Sequence, residues 1–414
     1  MLFSSVATAS AAVAARRVAL TRPRVRALSS LHSLTSTEEL VRETASNFAK
    51  HTVAPLVAAT DAAERTDPSI ISGLFDAGLM GIEIPSKYGG SELNITCTAI
   101  AIEELAKIDP AVSVLVESHN VLAGSTLSQY GSEDLKAKYL PKLANGTVGS
   151  FCLSEPSSGS DAFALKTTAI KQDDGDYLLN GTKAWITNSG EAGVFLVFAN
   201  VDPSKGYKGI TCFLVERNSP GFTVGPPEKK LGIRSSSTCM LTFEDVRVPP
   251  THIVGELGKG YKIAMNILNE GRIGIAAQML GIAQGAYDVA LPYMFERKQF
   301  GQYIGTFQGM QHQYAQIATE IEAARLLTYN AARLKEEGNE FAKEAAMAKL
   351  YASNTAVKAA TKAVEWMGGV GFIRDVPAEN FYRSAIVGLI YEGSSNMILN
   401  TIAKHVAKQY APAS

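Results

Sequence analysis

Glu365-Trp366-Met367-Gly368-Gly369-Val370-Gly371, followed twenty residues on by Tyr391-Glu392-Gly393-Ser394-Ser395-Asn396, is the stretch on which the reading of this chain turns. Between the two lie Arg374, Asp375, Pro377 and Arg383. Past Asn396 the spacing of Met397, Ile398, Ile402 and Val406 predicts a helix with one apolar stripe. Glu392 therefore stands at the mouth of a helix. It is either an acid complementing the positive end of the helix dipole, with Ser394 or Ser395 as the cap, or a working carboxylate. An aromatic ring and a glycine flank it, and the apolar run Ile386, Val387, Leu389, Ile390 precedes it. A carboxylate in apolar surroundings has a raised pKa and serves as a base near neutral pH. Gly368, Gly369 and Gly371 also read two ways, as the end of the preceding helix or as bare backbone that lets a phosphate-bearing ligand come close. Ending a helix needs one glycine, and here there are three.

Working outward, 414 residues allow roughly three units of ordinary domain size. Apolar residues at 46% and charged residues at 19% describe a globular chain with a large core. With 39 basic and 40 acidic residues the net charge is −1, which gives no electrostatic footprint for nucleic acid or an anionic membrane. Small molecules are the expected partners. Cys97, Cys152, Cys212 and Cys239 show no C-x-x-C spacing and the six histidines form no H-x-x-x-H pair, so neither a disulfide framework nor a metal site is expected. No apolar run reaches membrane-spanning length.

Residues 1–30 stand apart. Arg16, Arg17, Arg22, Arg24 and Arg26 alternate with Ala, Val, Leu and Ser, and no acid occurs before Glu38. That composition is the mark of an organelle transit peptide and predicts import into the mitochondrial matrix. The last residues, Pro412-Ala413-Ser414, are not a peroxisomal S-K-L signal.

Residues 36–149 carry helical periodicity, punctuated by turns at Lys87-Tyr88-Gly89-Gly90 and Asp109-Pro110. Over residues 150–252 the period changes. Short β-rich runs at 166–170, 177–179, 194–199, 210–215, 222–224 and 240–248 alternate with the turn signals Asp174-Gly175, Asn180-Gly181, Lys205-Gly206 and Pro220-Gly221, which predicts a compact antiparallel sheet. Residues 260–414 return to long helices, in which Gly281, Ala283, Gly285 and Ala286 permit close packing. The fold class is α+β: an N-terminal helical bundle, a middle antiparallel β-sheet domain and a C-terminal helical bundle.

Two further segments suit a heterocyclic or anionic ligand. Phe151-Cys152-Leu153-Ser154-Glu155-Pro156-Ser157-Ser158-Gly159-Ser160-Asp161 is a strand-to-loop run rich in hydroxyls, fit to present donors to an anion or to serve as an ordinary turn. In Trp185-Ile186-Thr187-Asn188, strand alternation puts Trp185 and Thr187 on one face, where a flat ring and a hydroxyl can meet a planar cofactor, or Trp185 can fill a core. Asn269-Glu270-Gly271-Arg272 and Arg297-Lys298-Gln299-Phe300-Gly301 place arginines near glycines, as phosphate recognition or structural ion pairing would. A G-x-G-x-x-G fingerprint and a Walker loop are both missing, so any nucleotide cofactor is held without a Rossmann turn.

Taken in this order, the loop Ser154–Asp161, Trp185-Ile186-Thr187, Arg297–Gly301, Glu365–Gly371 and Tyr391-Glu392-Gly393 resemble the acyl-CoA dehydrogenase family, and the likeness runs from about Ser36 to the C-terminus. Asn269–Ala276 and Asn400-Thr401-Ile402-Ala403-Lys404-His405 bring it nearest to the family's short- and branched-chain members. The resemblance implies a homotetramer with FAD held between subunits. Phe151, Cys152, Leu153, Ser154, Ser160, Trp185, Ile186 and Thr187 would face the flavin and part of the pyrophosphate. Arg297, Phe300, Gln308, Glu365, Trp366, Met367, Gly368 and Gly369 would reach the cofactor of a neighbouring subunit, and Ser394, Ser395 and Asn396 would touch their own. Ser160, Tyr207, Tyr261, Asn269, Glu270, Gly271 and Arg272 would meet the acyl-CoA substrate, and Glu392 would be the catalytic base.

The implied reaction is α,β-dehydrogenation of a short or 2-methyl-branched acyl-CoA to the trans-2-enoyl-CoA, with electrons passed to an electron-transfer flavoprotein. The family stabilises the developing enolate with a backbone N–H and a flavin hydroxyl. Some members carry the base where this chain has Gly271, which cannot serve. Ser157 stands where the family usually has glycine, and Ser384 where it commonly has aspartate. The competing expectations are a short straight-chain dehydrogenase, an acyl-CoA oxidase and a non-enzymatic acyl-CoA-binding scaffold.

Overall fold

The computed structural model describes residues 33–410. The Arg-rich leader expected over residues 1–30 lies outside them. From residue 34 onward the chain packs as one unit.

Helix α1 (Ser36–Phe48) starts with a reciprocal cap in which Thr35 Oγ1 accepts from Glu38 N while Thr35 N donates to Glu38 Oε2. It is followed by α2 (Val57–Ala63), α3 (Pro68–Asp76), α4 (Ile95–Ala106) and α5 (Pro110–Glu117). Asn94 caps α4 through Cys97 N, and Asp109 caps α5 ahead of Pro110 at the first helical position. A π-helical turn over Ser118–Gly124 leads into α6 (Ser125–Tyr130), and α7 (Glu133–Ala144) closes the first helical block.

The strands are β1 (Val148–Cys152), β2 (Thr168–Lys171), β3 (Tyr177–Thr187), β4 (Ala192–Asn200), β5 (Ile210–Glu216), β6 (Phe222–Pro227), β7 (Thr238–Val248) and β8 (Ile253–Val254). They form one sheet in the order β6-β7-β3-β2-β4-β5-β8, with β1 pairing β4. Most pairs are antiparallel, but β1 runs parallel to β4 because the chain enters the sheet from α7 instead of through a hairpin. The core strand β4 is buried on both sides: Val194, Leu196 and Phe198 pack with Leu127, Leu140 and Ile267 of the helices, while Phe195, Val197 and Ala199 pack with Phe213, Leu241 and Phe243. One expected turn is corrected. Asn180-Gly181 lies inside β3, where the register slips beside Gly181. A Cβ there would stand 2.6–2.9 Å from Thr167, so this glycine permits close approach of two backbones.

The last block holds α8 (Gly260–Met294), the small hairpin β9 (Lys298–Gln299) and β10 (Gln302–Tyr303), then α9 (Gln308–Glu336), α10 (Ala342–Met367), α11 (Ala378–Ala385) and α12 (Ser395–Tyr410). Ala345, Ala348, Ala352, Ala356, Ala359 and Ala363 of α10 share a core with Ala276, Ala283 and Ala286 of α8, small side chains that let the long helices approach. That core also contains Ala45, Leu74, Ile100 and Ile102 from the first helical block. The two helical blocks therefore bury one common apolar interior, with the sheet packed beside it on its own cluster. All four cysteines are free and buried.

Candidate active site

Two glycines one turn apart on α8 make the site possible. A Cβ on Gly271 would stand 2.7 Å from Glu392 Oε2 and 3.0 Å from its Cδ; a Cβ on Gly274 would stand 2.8 Å from Glu117 Cγ. Residues i and i+3 share a helix face, so α8 opens a bare strip and two acids lie against it. Glu392 arrives on a turn in which it and Gly393 both take left-handed φ, 52° and 95°. For a residue with a side chain this conformation is unusual and held only by its surroundings. The carboxylate reaches the bare strip at Gly271, and its Oε2 is buried with no hydrogen-bonding partner. No backbone N–H is donated to this oxygen.

Burial pushes the Glu392 carboxyl up to about 7, and the nearby Arg272 and Lys349 cations restrain the rise. Burial first, then the proximity of Glu392, raises Glu117 well above the ordinary range, and its Oε1 is also without a partner. Two like charges in one dry pocket do not both ionise at neutral pH. Glu117 keeps its proton, and Glu392, with two cations beside it, gives its proton up first. Lys349 Nζ donates to Gly393 O at 2.6 Å, Arg272 Nη1 donates to Asn269 Oδ1 at 2.6 Å, and the Tyr391 hydroxyl donates to Gln278 Oε1. The sequence reading did not single out Glu117, Lys349 or Gln278. Glu117 alone had a visible signal, an acid directly after the mostly apolar run Ala111–Val116.

The segments expected to face a flavin converge at the end of β3. Ala184 N donates to Ser154 O, and the fully buried Lys183 donates to Leu153 O (3.1 Å) and to Glu155 Oε1 (2.8 Å). Glu155 in turn accepts from Lys166 N and Thr167 N. Just past this clamp the register of β3 slips again, Trp185 takes φ 57°, and its ring is left 55% exposed. An uncovered tryptophan beside a hydroxyl-rich loop is what a planar isoalloxazine ring needs, and Thr187, half-buried two residues on, adds a hydroxyl. The residues present thus fit FAD. Phe151, Cys152, Leu153 and Ile186 are buried in the sheet's cores, Phe151 against Phe198 at 4.8 Å, so only their backbones remain for a ligand. Ser157 does not have positive φ, and the turn closes by paired bonds between Glu155 and Ser158, so serine fits without strain.

Of the residues expected at the substrate, Tyr207 and Tyr261 stack edge-on at 4.9 Å, Phe163 lies 6.4 Å from Tyr261, and Ser160 is exposed. Gly271 and Arg272 lie beside Glu392. Glu270 points elsewhere: it is buried, ion-paired to Lys335 at 2.7 Å and held by Gln129. Arg297, Phe300, Gln308, Glu365, Gly368 and Gly369 are exposed around the shared end of α8, α9 and α10, where Trp366 is buried against Gln313 and Tyr287 and Met367 is in the core. Ser394 and Ser395 are half-buried at the start of α12, and Asn396 is exposed. Ser384 accepts from Ile233 N and donates to Asn380 Oδ1, while Arg383 pairs with Asp61 and Glu379.

Comparison with known proteins gives the same outline. Residues 35–147, 150–246 and 258–407 match the models of the acyl-CoA dehydrogenase N-terminal, middle and C-terminal domains. The chain is 57% identical to a probable short/branched chain specific acyl-CoA dehydrogenase of Dictyostelium discoideum, over 91% of this chain and 92% of that one. It is 54% identical to the mitochondrial short/branched chain specific acyl-CoA dehydrogenase of Rattus norvegicus, over 92% and 88%. Among solved structures it superposes on butyryl-CoA dehydrogenase from Megasphaera elsdenii with a TM-score of 0.89 at 40% identity, covering 90% and 99% of the two chains. It superposes on a glutaryl-CoA dehydrogenase from Mycobacterium smegmatis in complex with FADH2 with a TM-score of 0.86 at 28% identity, covering 92% and 97%.

Proposed function

The chain belongs to the acyl-CoA dehydrogenase family, and from that premise we propose that it oxidises short and 2-methyl-branched acyl-CoA thioesters to trans-2-enoyl-CoA with Glu392 as the base. The single observation that carries the proposal is the buried, unpartnered Oε2 of Glu392 with its carboxyl pushed up to about 7. Such a group is half ionised near neutral pH and accepts a proton from the carbon beside a thioester carbonyl. FAD, when bound, supplies the two-electron acceptor for the hydride that leaves the β-carbon. The chain's part is to hold Glu392 in a dry pocket, keep Glu117 neutral beside it and offer the Trp185 face for the ring. The Tyr207 and Tyr261 pair offers aromatic surface to the acyl-CoA.

The substrate class follows the names of the relatives and agrees with Gly271. Any side chain at 271, the family's other base position, would begin with a Cβ 2.7 Å from Glu392 Oε2, so Glu392 as it stands needs glycine there. The homotetramer is supported by a distance. From Gly271 to Met294 α8 rises about 35 Å, so the exposed patch at Arg297, Phe300, Gln308 and Gly368 stands well away from Glu392, as residues that reach a neighbouring subunit's cofactor would. Phe300 and Phe372, 93% and 81% exposed, suit burial in such an assembly. An electron-transfer flavoprotein as oxidant and the mitochondrial matrix as address complete the reading.

The test is anaerobic. Purified protein loaded with FAD is expected to lose its yellow colour on mixing with 2-methylbutyryl-CoA and with butyryl-CoA, more slowly with longer straight chains. Glu392→Gln is expected to bind FAD and substrate yet slow bleaching by about 10²–10⁴-fold. Bleaching that survives the substitution would falsify the assignment of the base.

A further inference from the structure

Lys349 is a lysine in the wrong place for an ordinary one: 1% exposed, on the inner face of α10 between Ala345, Ala346, Ala348 and Ala352. Removing an ammonium from water is costly unless it is fully engaged. Its Nζ donates to the carbonyl of Gly393, the residue that directly follows Glu392 in the left-handed turn. A charge-assisted bond to that carbonyl is strong enough to hold a turn that the backbone alone disfavours. The charged or titratable groups facing the base come from α5, α8, α10 and its own loop: Glu117, Arg272, Lys349 and Tyr391. Glu117 is neutral and Tyr391 is committed to Gln278. Arg272 spends one nitrogen on Asn269 and leaves Nε without a partner. Lys349 alone both neighbours the carboxylate and grips its loop.

We propose that Lys349 is the positioning residue of the base, fixing the Glu392–Gly393 turn through the Gly393 carbonyl and, beside Arg272, placing a second positive charge against the Glu392 carboxylate. This deepens the dehydrogenase reading and rests on it. The sign is set by charge: an ammonium beside a carboxylate favours its ionised form, so removing the ammonium raises the Glu392 pKa and delays ionisation to higher pH. Burial also holds Lys349 itself down, to about 8, with Glu392 opposing the shift. In the wild-type protein the cation is therefore present over the range in which Glu392 loses its proton.

The experiment compares wild type, Lys349→Met and Lys349→Arg as full-length FAD-loaded proteins, recording the rate of anaerobic flavin bleaching by 2-methylbutyryl-CoA against pH. For Lys349→Met the limb that rises with pH is expected to move up by about one unit, about tenfold in rate on its acid side. Lys349→Arg is expected to keep the limb within about 0.3 unit. The Glu392 carboxyl band, located in infrared difference spectra of substrate-free protein against Glu392→Gln, is expected to titrate with the same shift. A methionine variant whose limb and band stay in place, whatever its maximum rate, overturns the proposal. Lys349→Gln repeats the test if the methionine variant does not fold; failure of both neutral variants to fold while Lys349→Arg behaves as wild type would mark the lysine as structural and also overturn it. Wild type that is not bleached at all sinks the dehydrogenase reading instead, so the two failures are distinct.

Discussion

Glu392 Oε2 lies 2.7 Å from the point where a Cβ on Gly271 would stand, and Leu122 Cδ2 lies 3.0 Å from the same point. A methyl group there is caught between a carboxylate and a packed leucine, and overpacking of this kind costs about 1–3 kcal/mol. Gly271→Ala is expected to fold and bind FAD while bleaching about 10–100-fold more slowly, because the carboxylate swings out of line. Stopped-flow reduction beside flavin occupancy checks this, and an unchanged rate would show that the carboxylate has room to yield.

The raised pKa of Glu392 also acts on stability. In the unfolded chain the group ionises near its ordinary value of 4.5, while in the fold it holds its proton to about 7. The stabilisation from the protonated acid is complete below about 4.5 and is lost as pH rises through about 7. Glu392→Gln, neutral at every pH, is expected to be more stable than wild type at pH 8 by about 1–3 kcal/mol and equal to it at pH 4. Denaturant unfolding of the FAD-free proteins at the two pH values measures the difference.

Lys183 and Glu155 form an ion pair at 2.8 Å, both side chains almost wholly buried, and the pair ties the Ser154 loop to the strand that carries Trp185. Removing one partner strands the other charge. Lys183→Met is expected to cost about 3–5 kcal/mol in unfolding free energy. FAD is expected to bind about tenfold more weakly, since the loop and the tryptophan lose their common anchor. Titration with FAD followed by quenching of flavin fluorescence reports the affinity, and a variant with native affinity would separate the clamp from the cofactor.

Glu270 is committed to Lys335 and Gln129. Glu270→Gln is expected to lower the unfolding midpoint, because the half-buried Lys335 keeps only its longer pair to Glu83 at 3.7 Å, yet to leave KM for acyl-CoA within about twofold of wild type. A KM that rises tenfold at unchanged midpoint would return Glu270 to the substrate.

The sequence by itself determined the order helical, sheet, helical, since periodicity and turn residues are local properties. The ordered motifs around Trp185, Arg297 and Glu392 determined the family. It also singled out Glu392 as the candidate base. Where a local signal served two purposes the sequence misled, as at Asn180-Gly181, whose glycine makes room for Thr167 inside a strand. Tertiary structure alone decided what surrounds the base. Glu117, Gly271, Lys349 and Glu392 come from four elements up to 275 positions apart, and no local pattern records their meeting. It also decided that Trp366 belongs to the core and Trp185 to an open face, though both are tryptophans in glycine-rich or turn-rich settings. The physical reason is that a pKa and an open ring face are set by which distant groups exclude water, and that depends on packing more than on residue type.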